Sequence, residues 1–290
     1  MLYDAFPNIK FIISSSGSIA LEEEAIKNLS GRYFLINVKP LNFREFLELR
    51  GKNSFLEKPE LWENEIKKEL SHYIKRSFPE IINWEDEILI RDYLRTTIID
   101  KIVKQDLPEK FKNVNRDLLL SLIEIFYTEP GMFLDYDGMS KKLRISKKTL
   151  IRNILYLEFS YLIRRVRNFR PNILSSSKKL QRVYANWWGL VYCYYNNPDK
   201  IMENLVGSYI DAKYYWRENS KEIDFLNIKD KTIVPFEVKN KEIVFRNELK
   251  NIEYFINKYK IKKGIIIYNG DEDKINQIRL CPLWKFLLEY

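Results

Sequence analysis

The runs Lys10 to Ser14 (KFIIS), Tyr33 to Val38 (YFLINV) and Gly264 to Tyr268 (GIIIY) carry apolar side chains with almost no polar alternation. A strand of this kind has no face to give to water. Layers must cover it on both sides, as they do for parallel strands in α/β folds. The intervening sequence supplies the layers. After KFIIS come a Ser/Gly turn, Ser14 to Ser18, and a helix to about Leu29. Pro40 closes the second run, and Asn42 followed by Glu45 opens another helix as a capping-box variant. This opening fragment is too short to be a domain, since two parallel strands cannot cover both faces of a sheet. Towards the end, a helix over Ile201 to Ala212 and a strand over Tyr214 to Arg217 precede hairpin strands Glu222 to Ile228 and Thr232 to Val238. A helix from Glu242 to Tyr259 then leads to the buried strand Gly264 to Tyr268. The fold class read from this order is α/β, in several domains.

Composition narrows the function. The 290 residues include 46% hydrophobic and 31% charged residues, which supports a real core. No apolar run approaches the ~20 residues of a membrane span, and Met1 to Pro7 lacks the basic start and apolar run of a signal peptide. A cytoplasmic protein without membrane contact is expected. Cys193 and Cys281 stand in unrelated contexts and make neither a disulfide framework nor a zinc site. His72, the only histidine, lies in a charged helical stretch and reads as a surface residue. Histidine-rich metal sites are thereby excluded, and triads built on histidine are disfavoured. Any chemistry runs on carboxylates, lysine or a bound metal.

The net charge of +9 is unevenly spread. From Lys52 to Lys112 the pattern is helical and charged, broken at Phe78-Pro79 and Leu107-Pro108. A helix over Leu118 to Tyr127, a short one over Tyr136 to Leu143, a turn at Arg144-Ile145 and a helix from Lys147 to about Phe159, N-capped by Ser146, then precede an alternating strand, Tyr161 to Phe169. That is the layout of a winged helix-turn-helix. It puts Lys147, Lys148, Thr149, Arg152 and Asn153 on the first turns of the recognition helix, with Arg164, Arg165 and Arg167 on the wing. The stretch Ile163 to Arg182, which adds Arg170, Lys178, Lys179 and Arg182, has no acidic residue, as suits a DNA backbone.

The last region holds Glu203 on a helix, Asp224 on one hairpin strand, and Glu237 and Lys239 on the next. Strand periodicity puts Glu237 and Lys239 on one face, with Asp224 within reach across the hairpin. Paired carboxylates make a hard-oxygen site, so Asp224 and Glu237 are candidate Mg²⁺ ligands. Lys239 would orient or help deprotonate a water, and Glu203 would complete the shell. A site of that kind hydrolyses a phosphodiester. Cores of this type also persist as structure or nucleic-acid grip without cutting, and both outcomes stay open.

These motifs resemble the AAA+ type ATPases that carry a C-terminal domain of unknown function related to PD-(D/E)xK nucleases. The Ser14 to Ser18 turn is similar to the family's T-G-S after a strand, Leu29 to Arg32 to its L-x-G-R, and Pro40 to Phe46 to its P-L-S-F-x-E-F. Further on, Phe78-Pro79-Glu80, Asp106-Leu107, Glu203 to Val206, Tyr215-Trp216-Arg217, Glu222 to Phe225 and Glu237-Val238-Lys239 resemble family motifs in the same order. The sequence departs from the family in having no G-x-x-x-x-G-K-S/T and no apolar run ending in Asp-Glu, the Walker A and B elements. The resemblance therefore implies a member without its nucleotide-binding half, expected not to hydrolyse ATP alone, in which Ser16 and Arg32 are remnants of nucleotide-binding positions. It divides the chain into a truncated AAA+ fragment (1–50), a helical segment (51–112), a winged helix-turn-helix (113–185) and a nuclease-like α/β domain (186–290). Two functions follow. One is a DNA-interacting protein whose nuclease-like domain works with Mg²⁺ if it is catalytic. The other is a non-catalytic regulatory or interaction subunit, one half of a split ATPase docking on a P-loop-bearing partner chain.

Overall fold

The computed structural model describes residues 8–10, 12, 34, 36, 38–171, 180–194, 197–230 and 232–290. Most of the expected strands Lys10 to Ser14 and Tyr33 to Val38, the helix to Leu29, and Ser16, Arg32, Lys178 and Lys179 lie outside them.

The first described helix, α1 (Phe43–Leu49), begins at a complete capping box. The Asn42 side chain accepts the Glu45 N–H at 2.9 Å, and the Glu45 carboxylate accepts the Asn42 N–H at 2.8 Å. Helices α2 (Asn53–Glu57) and α3 (Glu63–Lys75) follow. Phe78-Pro79 does interrupt the helices, with a single tight turn over Pro79–Ile81. Leu107-Pro108 does not. From α4 (Glu87–Tyr93) the chain runs through wider π-type turns over Leu94–Asp100 and Ile102–Asp106 into α5 (Leu107–Lys110). Pro108 falls just where the π-type turns hand over to α5.

Next come α6 (Arg116–Thr128), the short strand β1 (Met132–Phe133), α7 (Tyr136–Lys142) and α8 (Lys147–Phe159). The helices start at side-chain caps, Asn115, Asp135 and Ser146. Strands β2 (Ile163–Asn168) and β3 (Arg182–Ala185) form an antiparallel pair behind them. Leu119, Leu122 and Phe126 meet Leu150, Ile154 and Leu157 in one core, closed by Ile163 and Val183.

The short helix α9 (Trp188–Val191) leads to α10 (Pro198–Tyr209), then to β4 (Tyr214–Glu218), β5 (Lys221–Lys229) and β6 (Thr232–Val238), all antiparallel. Helix α11 (Lys250–Tyr259) returns the chain to β7 (Gly264–Tyr268), parallel to β6. Strand β8 (Asp273–Ile275) turns back into β9 (Ile278–Pro282), which pairs parallel with β7, and α12 (Leu283–Glu289) follows. All five residues of β7 are buried, with β6 and β9 as neighbours, as an unbroken apolar run requires.

The described strands join in one sheet, ordered β1-β3-β2-β4-β5-β6-β7-β9-β8. The seam is β2 against β4, a parallel pairing of Arg167 with Tyr214 and Asn168 with Tyr215. Helices α1 and α3 belong to the core of the last strands. Phe43, Phe46 and Tyr73 cluster with Val206, Phe236 and Phe286. The Tyr73 hydroxyl donates to the Leu41 carbonyl at 2.7 Å, and Arg44 reaches the Leu288 carbonyl at 3.3 Å.

Candidate functional site

The β5–β6 hairpin builds the first half of the site. Its register pairs Lys229 with Thr232 and runs to Phe225 with Phe236, and one step further sets Asp224 opposite Glu237. The Val238 N–H donates to Asp224 Oδ2 at 2.9 Å. Glu237 is 4% exposed, with Oε2 held by Lys239 Nζ at 3.2 Å. Its other oxygen, Oε1, is buried and has no hydrogen-bond partner among the described residues. Burial, and after it the charge of Asp224, pushes the Glu237 carboxyl well above the usual carboxylate range, against the pull of Lys239. Burial works to lower Lys239, but Glu237 and Asp224 outweigh it and leave the ammonium raised. The structure thus brings together Asp224, Glu237 and Lys239.

Glu203 is a third carboxylate that feels the charge of Asp224. It projects from α10 and is raised by burial and then by Asp224. Its Oε1 accepts the Tyr184 hydroxyl at 2.7 Å and lies 3.4 Å from Arg182 Nη1, while Oε2 lies 3.1 Å from Lys200 Nζ. Arg182 also pairs with Glu222, whose second oxygen is 3.6 Å from Arg217 Nε. Both Arg182 and Tyr184 come from β3, so the strand pair before the seam contributes to the site. Alternation along β3 puts these two on one side, a signal present in the sequence but hidden inside a stretch read only for its positive charge. Tyr184, Lys200 and Glu222 also escaped sequence reasoning as members of the site, as did Gly131. That glycine has φ +88°, and a Cβ there would come within 3.1 Å of Glu203 Oε1 and 3.0 Å of the Tyr184 oxygen. The turn between α6 and β1 therefore closes over Glu203 only as glycine.

Among the described residues, no three His, Cys, Asp or Glu side chains are gathered so as to hold a metal ion. Asp224 and Glu237 remain as a pair. An orphaned buried carboxylate oxygen beside a second carboxylate is the donor chemistry that suits Mg²⁺, which takes one or two carboxylates and keeps waters. The Glu203 carboxylate is engaged by Tyr184, Arg182 and Lys200.

The basic residues divide sharply. Lys148, Arg152 and Arg167 are exposed. Lys147 is exposed but 2.9 Å from Asp137, and the Thr149 hydroxyl meets the Ser146 cap at 2.8 Å. Asn153 faces inward and donates to the Thr149 carbonyl at 2.8 Å. Arg164 is half-buried, donating to the Gly207 carbonyl at 2.7 Å and the Ala212 carbonyl at 3.2 Å, with burial lowering it to about 10. A Cβ on Gly207 would collide with that guanidinium. Arg165 is paired with Glu158. Asn153, Arg164 and Arg165 are thus committed within the fold, and the outward basic face narrows to Lys147, Lys148, Arg152 and Arg167. The thiols are inert by environment, burial pushing both Cys193 and Cys281 up to about 12.

The profile of an AAA domain matches residues 1–47. A domain of unknown function (DUF8612) matches residues 67–200, and another (DUF4143) matches residues 200–286. The first and last of these matches support an ATPase-like family. An uncharacterized protein of the archaeon Methanocaldococcus jannaschii is 26% identical over 303 residues, an alignment that covers 96% of this chain and 68% of that protein. No solved structure matches the chain. No helix among the described residues is long and apolar enough to cross a membrane. The carboxylate cluster spans two of the matched regions, with Arg182 and Tyr184 in the second and Glu203, Asp224, Glu237 and Lys239 in the third.

Proposed function

We propose that this chain is a DNA-interacting protein whose C-terminal carboxylate cluster, of PD-(D/E)xK type, cleaves phosphodiesters with a divalent metal. One observation carries the reading: the buried, unpartnered Glu237 oxygen beside Asp224 and Lys239, on adjacent strands of one hairpin. Asp224 and Glu237 would hold Mg²⁺, which when bound supplies a polarised water and charge stabilisation at the phosphate. Lys239, its ammonium kept charged by the two carboxylates, orients the attacking water and offsets charge developing on the phosphate. The helices α6 to α8 and the β2–β3 pair act as a winged helix-turn-helix. Lys148, Arg152 and Arg167 on its outward face neutralise backbone phosphates, supported by the absence of acidic residues in the first turn of α8.

The test is binding and cleavage of labelled duplex, branched and single-stranded DNA with Mg²⁺, Mn²⁺ or EDTA. Asp224→Ala, Glu237→Ala and Lys239→Ala should each lower metal-dependent cleavage by about 100-fold or more while leaving the fold intact. Wild-type rates in all three sink the proposal.

A second reading, an interaction subunit that docks on a P-loop-bearing chain, is favoured by a different observation. Phe34, Ile36 and Val38 are 97%, 80% and 85% exposed, three large apolar side chains that call for a partner. Under it, serine at all three positions abolishes co-purification with that chain and leaves DNA binding unchanged.

A further inference from the structure

We propose that Arg182 stands as a fixed cation where a second metal ion would otherwise be needed. The carboxylate cluster then takes a single divalent ion, at Asp224 and Glu237, and the guanidinium provides the other positive charge. The proposal rests on the metal-site reading above and adds its stoichiometry.

Each oxygen of Glu203 faces a cation, Oε1 that of Arg182 at 3.4 Å and Oε2 that of Lys200 at 3.1 Å. Glu222 is divided in the same way between Arg182 and Arg217. Glu237 has Lys239 on one oxygen only, and no lysine or arginine closes an ion pair with Asp224 among the described residues. Within the cluster, the carboxylate oxygens that no ion pair engages are therefore confined to the Asp224–Glu237 pair. On the Glu203 and Glu222 side, a second Mg²⁺ would have to displace a guanidinium that is already in place.

Arg182 is not free to leave. Its guanidinium lies 5.1 Å from the ring of Phe133 and 5.1 Å from that of Tyr215, and it donates to the Tyr184 oxygen at 3.1 Å. Its side chain is 11% exposed. Oε1 of Glu203 is held by both Tyr184 and Arg182 and is closed over by the Gly131 turn, so moving this carboxylate breaks both contacts. A guanidinium is suited to the place because it is always charged, is only weakly hydrated, and satisfies two carboxylates through its planar fork. Mg²⁺ dehydrates reluctantly and demands octahedral geometry, which two oxygens already committed to hydrogen bonds do not offer.

The experiment is a Mn²⁺ titration of the full chain without DNA, following free ion by its paramagnetic resonance signal. Wild type should bind one ion per chain, Asp224→Asn none, Arg182→Lys one, and Arg182→Met two. Two ions on wild type, or only one on a folded Arg182→Met chain, overturns the role of Arg182 while leaving the metal site standing. No ion on wild type removes the metal site itself, and this proposal with it. Near-ultraviolet circular dichroism reports whether Arg182→Met has folded. If it has not, the count on wild type and on Arg182→Lys decides, with two ions on either overturning the proposal.

Discussion

The first turns of α8 and the β2–β3 pair are both basic in sequence and opposite in use. On α8, Lys148 and Arg152 extend into solvent. On β2 and β3, Arg164 and Arg182 turn inward, one to helix-end carbonyls and the other to carboxylates. The difference lies in what surrounds the backbone. A first helical turn at the surface leaves long side chains free. A strand in mid-sheet, with β3 on one edge and β4 on the other, sends alternate residues under a helix. Positive charge in a sequence therefore reports an electrostatic preference, and the direction in which it acts is set by the sheet.

The most severe way to break this contrast is Arg164→Ala. It removes the side-chain donor from the Gly207 and Ala212 carbonyls and opens a cavity beside Gly207, so a loss of about 3 kcal/mol is expected in urea unfolding. A loss below about 0.5 kcal/mol would mean that Arg164 behaves like a surface charge.

A smaller effect of opposite sign is expected at Glu237. Its folded carboxyl lies above the ordinary 4.5, so the folded chain binds the proton more readily than the unfolded chain. That stabilisation is complete below pH 4.5 and is lost as pH rises through the folded value. Glu237→Gln should accordingly raise the metal-free melting temperature at neutral pH by about 2–4 °C and flatten its pH dependence. Mn²⁺ should then stabilise wild type and not the variant. A variant that melts lower than wild type at pH 7 contradicts the burial argument.

The mildest changes belong to α8. Lys148→Ala and Arg152→Ala should leave stability within about 0.5 kcal/mol and weaken DNA binding several-fold, each reducing the salt slope by about 1. Unchanged affinity in the double variant would assign that face to a protein partner.

Elements with a local signature were legible. Strands β6 and β7 and helix α8 lie at the residues that hydrophobic pattern and the Ser146 cap indicate. The capping box at Asn42 is also present. Strand β3 was not read, because four residues at the end of a basic stretch carry too little period to stand out, and β8, β9 and α12 were missed as well. The site divides along the same line. Asp224, Glu237 and Lys239 share one hairpin, so their meeting follows from register. Arg182, Tyr184 and Gly131 reach Glu203 only because β2 pairs with β4, a tertiary event with no local cause. The continuous helix past Leu107-Pro108 was hidden by a proline that usually signals a stop.

The contact between α1 and α12 has a consequence on the ribosome. Phe43 and Phe46 share their core with Phe286, so their cover is made long after them. At about 5–20 residues per second, the apolar side of the early helices waits tens of seconds for β9 and α12. During that interval the nascent chain presents an aromatic surface of the kind that chaperones bind, and its folding yield depends on how well that surface is guarded until α12 emerges.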